Sequence, residues 1–208
     1  MRRLLLPLSL ALSLAACNTE QNEQNQHTQA PEQGPSVVDR VFELGDSLSQ
    51  HAQMQLGGQL KAALGRGGVA EAIPYCNVTA LPLMDSLGSA YGVSLRRTTL
   101  KVRNPADEPT PPERDHLEKY SQMLKQGEEM VPQVEALPNG QLLYSKPIIT
   151  QGMCLNCHGT VGESMKVEDY ALIQEHYPAD SATGFAMGDL RGMWSITFDV
   201  AKVKAAME

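Results

Sequence analysis

The chain has 208 residues, with 17 basic and 24 acidic side chains and a formal net charge of −7. That length suits one compact domain with a core of its own. The acidic balance argues against nucleic acid as a partner, and against adhesion to anionic lipid by charge alone.

Met1-Arg2-Arg3 opens the chain, and Leu4 to Ala16 is almost entirely apolar. A charged start followed by a short apolar run reads as an export signal spanning residues 1–16. It is too short for a membrane-spanning helix, which needs about 20 apolar residues. The run closes on Leu14-Ala15-Ala16-Cys17, which resembles a bacterial lipobox. That pattern predicts cleavage before Cys17 and lipid attachment to it. Asn18 follows where an Asp would signal retention, so the expected location is the periplasmic side of the envelope, anchored in the outer membrane. Removing residues 1–16 takes the formal charge to −9. Residues 17–36 are rich in Gln, Asn, Glu, Thr and Pro, which predicts a lipidated flexible tether in which His27 is simply solvated.

Residues 37–208 form the expected folded domain. Val37, Val41, Leu44, Leu48, Leu56, Leu60 and Leu64 mark one face of a long amphipathic helix. Gly57-Gly58 could bend that helix, and Gly65-Arg66-Gly67-Gly68 ends it. Val69 to Tyr91 reads as a second helix interrupted by Pro74 and Pro82, with Cys76 near its start. Val93 to Val102 reads as a strand, and the prolines between Asn104 and Pro112 make a loop. Glu113 to Gln126 is a third helix. His51, His116 and His176 fall on helices and are expected to be exposed. Asn139-Gly140 marks a turn, followed by a strand at Gln141–Ile149. Val167 to His176 reads as a short helix, Gly188 to Gly192 as a turn, and Met193 to Phe198 as a strand by its alternation. Asp199 can cap a last helix over Val200–Met207. This order suits an α+β domain with an antiparallel sheet.

Cys154-Leu155-Asn156-Cys157-His158 carries the chemistry. C-x-x-C-H is the attachment sequence for one covalent haem c. Each thiol adds to one vinyl group to form a thioether, and the histidine ligates the iron. A zinc site would need a second ligand pair at metal spacing, and a thioredoxin-like dithiol would open a helix after an early strand. Neither context is present, whereas export and haem c attachment predict the same compartment. With Cys17 assigned to lipid and Cys154 and Cys157 to haem, Cys76 is left over. An odd thiol in an oxidising compartment is buried and inert, linked to another molecule, or a ligand. Met54, Met84, Met153, Met187 and Met193 are rival sixth ligands, although such methionines more often fill a core.

Several stretches resemble the single-haem c-type domain family with a PAS-like fold, first catalogued as a domain of unknown function. They are Ala72-Ile73-Pro74-Tyr75-Cys76, the run from Leu95 to Pro105, Cys154 to Gly159, Tyr177 to Phe185, and Gly188 to Gly192. The resemblance implies a five-stranded antiparallel sheet with flanking helices and haem against the sheet. It also implies an iron held by His158 on one side and by Cys76 on the other. A thiolate favours ferric iron, so a low potential is expected. Protonation or displacement of Cys76 on reduction would open a site for a diatomic gas. Arg96, Arg97, Lys101, Arg103 and Arg191 are candidates to face the haem propionates, since buried carboxylates need partners. Tyr75, Tyr144 and Trp194 are candidates to pack on the macrocycle or in the core. Two roles follow: a redox or gas sensor passing its signal to a separate protein, or a membrane-anchored electron carrier docking a redox partner. A peroxidase-like enzyme would need an open iron and a distal acid–base group.

Overall fold

The computed structural model describes residues 35–78 and 80–208, without the side chains of 77–81. The proposed signal, lipid site at Cys17 and most of the tether lie outside the described residues.

Helix α1 (Val37–Gly67) starts at a capping box, in which Ser36 and Asp39 bond each other's backbone N–H. It buries Val41, Leu48, Ala52 and Leu56 against the sheet. Residues 69–91 form two helices, α2 (Val69–Val78) and α3 (Ala80–Tyr91). Pro82 falls in the first turn of α3, where a missing N–H costs nothing. Strand β1 (Ser94–Thr98) is followed by one 3-10 turn, Pro105–Asp107, and by helix α4 (Pro111–Gln126). Strand β2 (Gln133–Ala136) and strand β3 (Gln141–Ile149) make a hairpin whose turn uses Gly140 at φ +77°. The C-x-x-C-H segment forms a single turn, α5 (Leu155–His158), and α6 (Val167–His176) follows. Strand β4 (Leu190–Asp199) and helix α7 (Val200–Ala205) close the fold, with Asp199 capping α7.

The sheet is antiparallel and has four strands among the described residues, in the order β1-β4-β3-β2. The expected fifth strand is not among them. Strand β2, absent from the sequence reading, pairs only with β3 and sits at the edge. Alternation assigns the two faces. Leu95, Tyr144, Trp194, Ile196 and Phe198 face α1 in the main core, whereas Met193 meets Leu117 and Tyr120 of α4 on the other side. Tyr144 and Trp194 are therefore core residues. A third apolar cluster ties α2 to α6 through Val69, Ile73, Ile173 and Tyr177. It fixes α2 beside the turn that carries Cys157.

The expectation that His116 is exposed is corrected. It is only 6% exposed and lies on the face of α4 that meets the sheet. Its Nδ1 is 2.7 Å from Ser145 Oγ, and its Nε2 is 2.6 Å from a Glu135 carboxylate oxygen.

Candidate functional site: a thiol, histidine and arginine cavity

A cavity opens where α1, α2, the end of β1, the end of β3 and the C-x-x-C-H turn converge. Counting its mouth, it holds about 1310 Å³ of open space. Leu56, Leu60, Leu64 and Ile73 supply apolar walls, and Gly57 contributes no side chain at all. Cys76, Cys154, Cys157 and His158 all line this one space, although Cys76 lies nearly 80 residues before the others.

His158 is oriented by its neighbours. Its Nδ1 stands 2.8 Å from the carbonyl of Ala182. A carbonyl only accepts, so Nδ1 carries the proton and Nε2 keeps its lone pair. Burial, with the charges of Arg191 and Arg103, holds the imidazole well below the usual histidine range, so it is neutral. Gly159 allows the turn to close, since a Cβ there would stand 2.7 Å from the Leu155 carbonyl.

Two of the three cavity thiols, Cys76 and Cys157, are protonated at neutral pH. Burial pushes Cys157 up to about 11 and raises Cys76 as well. Arg97 and Arg103 pull Cys76 the other way. A charge on Cys76 raises Cys157, so the two sulfurs feel each other across the cavity.

The five basic candidates separate cleanly. Arg97, Arg103 and Arg191 line the cavity. Arg97 shares the face of Leu95 on β1 and makes no hydrogen bond to a described residue. Arg103 Nη2 bonds the Cys157 carbonyl at 2.6 Å and the Asp180 carboxylate at 2.9 Å, and its Nε is buried without a partner. Arg191 sits at a register shift, where Ile148 pairs with Gly192 and Ile149 with Leu190. That bulge leaves Arg191 unpaired in the ladder and turns it inward. Burial and the other two guanidiniums lower Arg191 to about 10. The remaining two candidates are engaged elsewhere. Arg96 bonds Glu113 and the carbonyls of Ala106 and Glu108, and Lys101 bonds the Thr183 carbonyl while lying over the Phe185 ring.

Of the rival methionines, Met84 and Met193 are buried core and Met54 and Met187 are exposed; Met153 alone lines the cavity. Sequence reading missed Asp107, which lies among Arg97 and Arg191, and Asp180, whose side chain is fully buried behind Arg103. Among the described residues, no group of three or more His, Cys, Asp and Glu has metal-ion geometry, and no helix is long and apolar enough to cross a membrane.

The Tll0287-like family model matches residues 11–199. The chain belongs to the Tll0287-like family. A solved structure, the crystal structure of the cyanobacterial haem protein Tll0287, is 27% identical to it, with a TM-score of 0.53. The match covers 76% of this chain and 94% of that one. No curated protein matches the chain.

Proposed function

We propose that this chain binds one haem c covalently and acts as a haem-based redox or gas sensor. One observation carries the reading: two thiols at attachment spacing, an oriented neutral imidazole and a third thiol share one apolar cavity with three arginines. The family match and the likeness to a haem protein support it.

The residues fit the group. Cys154 and Cys157 would hold it by each adding S–H across one vinyl double bond, sulfur bonding one carbon and the proton going to the other, with nothing oxidised. His158 Nε2 has its lone pair free and would be the donor for the iron. Cys76 would supply the opposite ligand after losing its proton, a loss eased by Arg97 and Arg103. A bound haem would supply one-electron iron chemistry and one exchangeable axial position. Arg97, Arg103 and Arg191 are suited to neutralise two carboxylates in a largely apolar cavity. A diatomic gas would have to displace Cys76. With Cys76 as a ligand, a bound haem would have no open position for peroxidase-like chemistry.

We read the domain as PAS-like, and the N-terminus as a lipoprotein signal with lipid on Cys17, on the residues of the chain's first 17 positions. A second role, an anchored electron carrier, is favoured by the exposed Met153 beside Cys154, which leaves one edge of the cavity open to a partner.

The test is a potential-resolved optical spectrum of wild type beside Cys76→Ala, after denaturation has checked that haem stays attached. Loss of haem on denaturation removes the covalent reading. An unchanged ferric spectrum in Cys76→Ala removes the ligand. Carbon monoxide uptake by the ferrous protein supports the sensor; fast reversible cycling without uptake supports the carrier.

A further inference from the structure

The charges lining the cavity do not balance once two carboxylates enter it. Arg97, Arg103 and Arg191 provide three positive charges. Asp180 is committed to Arg103, in an ion pair at 2.9 Å. Asp107 has no such commitment. Its backbone is pinned: the carbonyl accepts from Thr98 Oγ1 at 2.9 Å, and the N–H donates to the Asn104 carbonyl. Its carboxylate makes no hydrogen bond or ion pair with a described residue, although it lines the same cavity. Two propionates, with Asp107 and the Asp180 behind Arg103, would set four negative charges against three positive ones, the ferric haem core (+1) and a Cys76 thiolate (−1) cancelling each other. Reduction of the iron would add one more.

We propose that Asp107 is the proton-accepting group coupled to reduction in this cavity. The inference rests on the haem reading above. The step balances: one electron from a redox protein converts ferric iron to ferrous, and one proton from solvent converts the Asp107 carboxylate to its acid. The groups facing Asp107 define its setting. Arg97 and Arg96 on β1 and Arg191 on β4 favour the carboxylate, while burial opposes it and prevails. Tyr177 is near enough to be raised by an Asp107 charge. Cys76 on α2 and Arg103 on the loop after β1 complete the lining. An acid poised this way is sensitive to one further negative charge in the same enclosed space. With Asp107 taking the proton, Cys76 can remain a thiolate through the redox cycle.

The experiment is a mediated potentiometric titration of the full haem-loaded chain at pH values from 5 to 9. A proton bound more tightly in the reduced state makes the midpoint potential fall as pH rises. The expected fall approaches about 59 mV per tenfold drop in proton concentration, the one-electron limit. Asp107→Asn should flatten that dependence and keep the ferric spectrum of wild type. Asp107→Glu, which keeps a carboxyl, should restore it. A slope retained in Asp107→Asn overturns the proposal, since the proton then goes to Cys76 or to a propionate. A flat wild-type profile also overturns it. Failure of the haem reading is seen separately, as a chain that carries no haem after denaturation.

Discussion

The His158 ring is tied through Nδ1 to the carbonyl of Ala182, 24 residues later, at 2.8 Å. In the proposed haem site, ligation through Nε2 would depend on that tie, because it selects the tautomer and the ring plane. If the proposed haem site is right, His158→Ala would leave Cys154 and Cys157 to hold the haem and remove the iron's proximal donor. The expected result is retained covalent haem with a shifted Soret band, restored toward wild type by added imidazole. A wild-type spectrum in the variant without imidazole would remove His158 as the ligand.

Asp180 supports the same tie from behind. One of its oxygens bonds Arg103 Nη2, and the other accepts the Ala182 N–H at 2.8 Å. Arg103 Nη2 also reaches the carbonyls of Cys157 and Ala182. The pair is almost fully buried, with side chains 12% and 0% exposed. Breaking one partner of such a pair costs about 3–5 kcal/mol. Asp180→Asn should therefore lower the melting temperature and broaden the haem spectrum, because the 180–182 segment no longer holds His158 firmly. Thermal unfolding followed by circular dichroism measures the first effect. Unaltered stability would mean that Arg103 finds another partner.

Arg96 and Arg97 are adjacent and should behave oppositely. Arg97 faces the cavity, while Arg96 is spent on Glu113 and two carbonyls. Arg97→Gln removes a positive charge from beside the site, so it should lower the midpoint potential and barely alter stability. Arg96→Gln should move the potential less than Arg97→Gln and destabilise the fold by about 1–3 kcal/mol, since it gives up three hydrogen bonds worth about 1 kcal/mol each. A larger potential shift for Arg96 than for Arg97 would contradict this division.

This division could not be read from the chain alone. Alternation puts Arg97 on the face of Leu95 and Arg96 on that of Thr98, but both of those residues are buried, so the pattern does not say which face meets the cavity. Arg191 gave no comparable signal, because a bulge that depends on pairing with Ile148 and Ile149 turns it inward. The C-x-x-C-H turn, α1 and β3 were legible from local pattern. Strand β2 was not: it has four residues, lies between Pro132 and Pro138, and is held by β3 alone. Asp107 and Asp180 escaped notice because each looks like a loop acid until the cavity brings the arginines to them.

Gly45 tests the packing of α1 on the sheet. A Cβ there would stand 2.5 Å from Tyr144 Cδ2, inside the ring's van der Waals surface. Tyr144 is fully buried, and its hydroxyl donates to Asp46 beside Lys146. The ring cannot step aside without disturbing that anchor. Overpacking of this kind costs about 1–3 kcal/mol. Gly45→Ala should lose stability by that amount in a denaturant titration, while Gly57→Ala, with only the mobile Gln53 amide nearby, should lose less. Equal losses would show that α1 can shift as a body.

His116 provides the last prediction. Its ring bridges β3, through Ser145, to β2, through Glu135, and Tyr120 shares the Ser145 hydroxyl at 2.9 Å. Ser145 is fully buried, so in His116→Ala its hydroxyl keeps only Tyr120. Leaving a buried polar group short of a partner costs about 1–3 kcal/mol. Glu135 is half exposed, so Glu135→Ala should cost under about 1 kcal/mol. Because the cluster lies on the α4 face of the sheet, away from the cavity, neither variant should move the haem spectrum. Denaturant titrations beside optical spectra check both statements. A spectral change in His116→Ala would mean that α4 is coupled to the cavity through β3, and a negligible stability loss would mean that water replaces the imidazole.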